Sequence, residues 1–478
     1  MSNRSFLPFI WAAFLSFMAS PGLAAGPCEG PSCPSSWTEL DSEAQKGVFR
    51  LAEDYKAFMA VARTAETTIA ETIKRANAQG FRAYKPGQTL SPGQKLYDVN
   101  RDGAMTLFVV GKRPIADGVR LSASHLDSPH LTLKARPIYD GEGFALFQTN
   151  FHGGILPYQW GNTPLALIGK VVRKDGHRVD INVGLKPDDP VFIIAGLSPH
   201  VDIDLRERKN RDVLQPEELD PIIASMPQNA SKSMKEQVTA YLKQTYDISA
   251  DDLVSAELSL VPAMAPRDVG FDRAMMTMYG QDDRFAVFAS IKSLFDLPTP
   301  EHTTVVFLAN NEEVGNVNNT GAVSSYATDI IREMLFSQLG QNAHEVHFQR
   351  TLKASKVLST DVNDGINPIW PGAWEKGNAP RVGHGINIKV YGQGKNATPE
   401  YAAWLRQALD SQGVRWQTAT YKVGRAGGGT LGGEFSRRDM DVIDIGAPVL
   451  SIHNIYETSS KVDLWWLYKA NTAFFTVR

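Results

Sequence analysis

The chain has 478 residues, 43% of them hydrophobic, and a formal net charge of -3. That length accommodates two or three domains around a large buried core. The near-balance of charge, with no basic block to follow a phosphate backbone, leaves no nucleic-acid partner expected.

The first residues read as an address. Arg4 supplies a positive start, residues 6–19 form an apolar run broken only by Pro8 and Ser16, and small residues follow at Gly22, Ala24 and Ala25. This pattern predicts a signal peptide over residues 1–24, cleaved after Ala24 or Ala25. The run is shorter than the roughly 20 apolar residues that span a bilayer. No later stretch is long and apolar enough, so the mature protein is expected to be exported (periplasmic or extracellular) and free of the membrane. Residues 25–38 read as a flexible segment carrying both cysteines, Cys28 and Cys33. A small disulfide loop between them and two unpaired thiols are both open readings. No cysteine lies elsewhere, which excludes a thiol nucleophile or a thiolate zinc site in the core. Any metal must be held by His and carboxylates.

Next in the chain, residues 40–78 carry a helical pattern, with Phe49, Leu51, Tyr55, Phe58, Val61, Thr68 and Ile73 spaced by about three or four and Gly80 as a stop. Short β-branched runs follow at 106–110 and 119–123. Residues 137–264 change texture: strand-like pieces at 165–172, 179–183 and 191–195 alternate with polar turns, and a charged stretch covers 202–218. This predicts an inserted, smaller β-rich domain. Afterwards strands at 303–308, 356–359 and 449–452 alternate with helices near 324–339 and 399–412. The expected fold class is α/β, with a mainly parallel sheet covered by helices on both faces, built from residues 39–136 plus 265–478.

Five apolar runs deliver a metal-type ligand at or just after their carboxyl ends: His125, Asp282, Glu313, Asp361 and His453. In open α/β sheets the binding crevice lies outside those ends. Two His and three carboxylates suit zinc, and a shared carboxylate can bridge two ions. A further carboxylate is then needed as general base. Taken singly, each residue has a plainer reading. His125 fits a hydrogen-bonded core histidine, Glu312 and Glu313 a solvated loop, and Asp361 before Asn363 and Gly365 a turn. The joint arrangement carries the metal reading.

The pieces SASHLDSPHLTLKARP, QDDRFAVF, NNEEVGN, STDVNDGINP, GINIKV, GGGTLGG and APVLSIHNI occur in this order from about Asp54 to the C-terminus. Together they closely resemble the aspartyl aminopeptidase family of cocatalytic dizinc exopeptidases. The resemblance implies that His125 and Asp361 bind one zinc, Glu313 and His453 the other, and that Asp282 bridges them. It implies that Asp127 orients His125, that Glu312 is the general base, and that Lys389 lies near the substrate. It also implies that the insert (137–264) mediates subunit pairing and shapes the neighbouring active site, giving a homo-oligomer (a dimer or a larger assembly of dimers). Three departures from the family pattern stand out. Asp204 replaces a histidine, although His200 is retained as a substrate contact; Tyr456 replaces an arginine; Asn162 and Thr163 replace a charged pair after Trp160.

The glycine-rich run from Gly427 lacks the Lys-Ser/Thr ending of a phosphate loop, and Gly428 and Gly429 are expected to line the substrate cleft with backbone amides. His344-Glu-Val-His347 falls one residue short of a zinc motif and reads as a surface element. His130, His177, His302 and His384 read as structural; His152, flanked by glycines, is a candidate to approach the cleft. The expected function is therefore a metallo-aminopeptidase that removes N-terminal residues from peptides with a water activated by two divalent ions. Zinc is expected, with cobalt or manganese as alternatives. The rival readings are a dizinc carboxypeptidase or amide deacylase on the same scaffold, and an exported scaffold without catalysis.

Overall fold

The computed structural model describes residues 33–375, 377–389, 397–424 and 430–477. The predicted signal peptide, Cys28 (and with it the Cys28–Cys33 pairing), Gly428 and Gly429 lie outside them. The helical pattern after residue 40 resolves into two helices, Ser42–Val61 and Ala65–Ala78, rather than one. Thr64 causes the break. Its extended backbone and side chain cap the second helix, and Thr67 reciprocates in a capping box. The apolar spacing continues across the break, so periodicity alone does not reveal it.

Nine strands form the central sheet, in the order Arg82–Ala83, Lys95–Asn100, Ala104–Val109, Thr304–Ala309, Arg120–His125, Lys356–Thr360, Asp441–Gly446, Ile386–Lys389 and Trp416–Thr418. The four strands from Thr304–Ala309 to Asp441–Gly446 run parallel. Antiparallel joints flank them on both sides, so the sheet is mixed with a parallel centre. Thr304–Ala309 shows why its sequence is a continuous apolar run: both faces are covered. Val305, Phe307 and Ala309 pack with Ile331, Met334, Leu335 and Leu352 on one side, whereas Val306 and Leu308 pack with Phe58, Phe285, Phe288, Leu467 and Phe474 on the other.

A separate antiparallel sheet of six strands runs in the order Arg178–Val183, Leu165–Val172, Ala256–Pro262, His130–Gly141, Phe144–His152 and Ile222–Ala224. Its own core includes Leu131, Phe147, Trp160, Leu165, Val171 and Leu260. The stretch expected as a strand at 191–195 makes only isolated bridges, from Phe192 to Leu165, Ile193 to Ile222 and Ile194 to Gly161. A third, five-stranded sheet joins Arg267–Val269, Met275–Met278, Glu457–Ser460, Pro448–Leu450 and Asn363–Asp364. Among the described residues no helix is long and apolar enough to cross a membrane.

Candidate metal centre

Three of the five expected ligands leave the parallel centre of the main sheet. His125 ends the strand Arg120–His125, Asp361 follows Lys356–Thr360, and Glu313 sits four residues past Thr304–Ala309 in the short 3-10 helix Glu312–Val314. Parallel neighbours in register bring their carboxyl ends to one edge. The other two come from the five-stranded sheet, not from the main one. Asp282 follows Met275–Met278 at the start of the helix Gln281–Phe295, and His453 follows Pro448–Leu450. Both sheets are needed to complete the set. Close backbone approach is part of the fit: a Cβ on Gly446 would stand 1.6 Å from the Asp361 carbonyl oxygen, so only glycine allows that strand to pass.

Asp282 lies at the middle. Its Oδ1 is 3.1 Å from His125 Nε2, and its Oδ2 is 3.2 Å from His453 Nε2. Asp361 Oδ1 stands 3.7 Å from His125 Nε2, and Glu313 Oε2 stands 3.3 Å from His453 Nε2. The donor atoms of His125, Asp282 and Asp361 lie within 4.8 Å of one another, as do those of Asp282, Glu313 and His453. Each group is compact enough to hold one metal ion. Glu312 Oε2 is 3.9 Å from His125 Nε2, beside the first group.

The electrostatics are those of a site built for cations. Burial, with Asp282 adding to it, pushes the Glu313 carboxyl up to about 10, and burial with Asp361, Asp282 and Asp127 pushes Glu312 up to about 7. Burial also opposes charge on Asp282, yet His125 and His453 hold its carboxyl below the usual range. Burial opposes protonation of His453, but Asp282 and Glu313 outweigh it and raise the imidazole to about 10. Asp282 Oδ1, Glu313 Oε1 and Asp361 Oδ1 are buried and have no hydrogen-bond partner among the described residues. Orphaned carboxylate oxygens are costly unless a cation faces them. The donor set, nitrogen and oxygen only, fits zinc.

The family comparison agrees with this geometry. The chain matches the family model described as "Aminopeptidase I zinc metalloprotease (M18)" over residues 58–475. It belongs to the M18 family. A probable M18 family aminopeptidase 1 of Borreliella burgdorferi is 36% identical over 450 residues, covering 92% of this chain and 98% of the relative. The crystal structure of an M18 aminopeptidase from Thermotoga maritima superposes with a TM-score of 0.87 at 33% identity, covering 93% of this chain and 99% of that one. The mApe1 dodecamer of S. cerevisiae shares the fold, with a TM-score of 0.72 at 20% identity, covering 89% of this chain and 96% of that one. This M18 protein is a zinc-dependent aminopeptidase, a hydrolase of peptide bonds.

An open cleft of about 560 Å³ lies over the aminopeptidase site, lined by Asp282, Glu312, Glu313, Asp361, His453, Lys389, Asp364 and Tyr421, with Ile155, Leu156, Val362 and Ile452 as apolar wall. Lys389 is one of the residues that line this cleft. Within one chain His200 is exposed on a turn and does not line the cleft, and Asp204 is exposed as well. Residues 185–221, which carry both, form only short helices and bridges. His344 and His347 sit at the start of the helix Glu345–Ala354, with His344 exposed.

Asp127 accepts the backbone N–H groups of Glu312 (3.1 Å, to Oδ1) and Glu313 (3.2 Å, to Oδ2) and sits beside His125, its Oδ1 3.4 Å from Nδ1. His125 Nδ1 is also 3.0 Å from the Asp127 carbonyl oxygen. Glu457 was missed by sequence reasoning. It is buried, and its carboxylate accepts the N–H of Asp282 and the N–H of His453, each at 2.9 Å. One side chain therefore fixes the backbone of two ligands, including His453 in its left-handed conformation (φ 61°). Its only signal was an acid four residues after the last ligand, next to Tyr456. Glu457→Ala is expected to leave two buried donors unpaired, costing the metal-free protein about 2–5 kcal/mol. It should also weaken metal binding about 10–100-fold. Denaturant unfolding and metal titration of the same variant check both effects.

Proposed function

We propose that this aminopeptidase has a site for two zinc ions: His125 and Asp361 would hold one, Glu313 and His453 the other, and Asp282 would serve both. The observation that carries this reading is the division of Asp282: its two oxygens face two different histidines, at 3.1 and 3.2 Å. When bound, such a pair of ions supplies carbonyl polarisation and a water of lowered pKa. Glu312 acts as general base, taking the water's proton on its carboxylate and passing it to the departing amide nitrogen. Asp127 orients His125 and, through the two backbone N–H groups, sets the direction of Glu312 and Glu313. Lys389, with Asp364 and Tyr421 beside it, contacts the peptide in the cleft, while Ile155, Leu156, Val362 and Ile452 shield the reacting end from water.

Hydrolysis of a panel of N-terminal aminoacyl fluorogenic amides, with and without chelator and beside N-blocked controls, tests the reading. Chelator-sensitive cleavage of the free-amine substrates alone is expected. Cleavage of the blocked substrates would move the activity to a deacylase or carboxypeptidase.

The same reading extends to assembly and location. The insert pairs subunits through a segment that exposes Leu197, Val201 and Ile203, more apolar side chains than a solvated turn needs. Size-exclusion chromatography with light scattering should return a dimer or a multiple of one. Residues 1–24 direct export, and the mature N-terminus found by sequencing should be Ala25 or Gly26.

A further inference from the structure

We infer that His152, carried by the six-stranded sheet, is a positioning residue of the metal centre. It holds the Asp127 carboxylate from outside the catalytic body, so the insert completes that centre within its own chain. His152 ends the strand Phe144–His152 and stands opposite His130 in register, with the two rings stacked at 4.7 Å and 22°. His130 is itself anchored, its Nδ1 2.8 Å from the Ser128 carbonyl oxygen. The stack thus fixes the plane of the His152 ring. His152 Nε2 then lies 2.7 Å from Asp127 Oδ2, a distance typical of a hydrogen bond to an ionised group.

Asp127 is buried, at 3% exposure, so every donor to it matters. Among the described residues three hydrogen bonds reach its carboxylate, from Glu312 N, Glu313 N and the His152 ring, with His125 Nδ1 3.4 Å from Oδ1. The two backbone donors belong to the proposed base and to a proposed ligand, and both move with the turn they sit on. His152 is the one donor supplied by the other sheet. Removing it frees the carboxylate to swing, and the swing is passed to His125 on one side and to the 312–313 turn on the other. The chain leaving His152 also touches the ligands. A Cβ on Gly153 (φ 73°) would lie 3.0 Å from Glu313 Cβ, and one on Gly154 would lie 3.4 Å from His453 Nδ1. A bond that merely tied the insert to the body would affect stability alone. A positioning bond affects metal affinity and kcat.

The inference rests on the two-zinc reading, and the test separates the two. Zinc titration of the metal-free full chain, by competition with a chromophoric chelator, is run on the wild type, His152→Phe and His152→Gln, with kcat and KM measured on an aminoacyl amide. Phe keeps the stack on His130 but lacks the donor; Gln restores an N–H near the Nε2 position. The expected result is zinc affinity about 10–100-fold weaker in His152→Phe, with kcat reduced and KM little changed. The denaturation midpoint of the metal-free protein should also fall in His152→Phe, because a buried carboxylate loses a donor, and His152→Gln should recover most of both losses. His152→Asn, whose amide stops short of Asp127, carries the same expectation as Phe and replaces it if Phe does not fold. Wild-type zinc affinity and kcat in His152→Phe or His152→Asn, or a folded His152→Gln as impaired as Phe, would overturn the role. A wild type that binds no zinc in the same titration would overturn the metal-centre reading beneath it.

Discussion

Glu312→Gln is expected to bind metal as the wild type does and to lose about 10²–10⁴-fold in kcat, the usual share of a general base. The substitution keeps the size of the side chain and the backbone N–H that Asp127 accepts. It removes only the ability to take a proton. Glu312 is not in either compact ligand group, so the metals should stay. Metal content by atomic absorption and steady-state kinetics on one preparation decide the matter. Full metal occupancy with undiminished turnover would remove Glu312 from its role, and lost metal would make it a ligand.

Asp282→Ala should fail at an earlier stage. Both ligand groups include Asp282, so its loss leaves His125 with Asp361, and Glu313 with His453, as two separate pairs. Metal affinity should drop by well over the 10–100-fold typical of an outer partner, and activity with it. The metal-free fold should tolerate the change better than the holoenzyme does, because Asp282 is a buried charge whose desolvation is costly. Metal stoichiometry after dialysis, set beside unfolding of the metal-free variant, measures both. A fully metallated Asp282→Ala would sink the bridging assignment. Glu457→Ala is expected to lie between this variant and the wild type, since it loosens the backbone of two ligands and deletes neither.

Much of the fold was legible because a buried parallel strand is a run of apolar residues whatever surrounds it. The segment Thr304–Ala309 is an example; Leu165–Val172, in the antiparallel sheet of the insert, is legible as an apolar run for the same reason of burial. The break at Thr64 was less legible, since the same apolar stripe serves both helices and only the cap marks the end of one. The origin of Asp282 and His453 was not legible: each follows an apolar run, as the other ligands do, yet those runs belong to a different sheet. Strand pairing depends on contacts that local pattern does not encode.

The sequence by itself determined which atoms are available for chemistry: His and carboxylates at the ends of apolar runs, and no thiol beyond Cys33. It also determined the order in which they occur, and that order carried the family resemblance. The tertiary structure alone decided how they meet. It turns the two oxygens of Asp282 to opposite histidines, sets Glu457 against the backbone of Asp282 from 175 residues away, and brings His152 from the insert onto Asp127. Residue type and spacing are local properties of the chain, whereas a hydrogen bond across 175 residues exists only after two sheets have packed and excluded water around it.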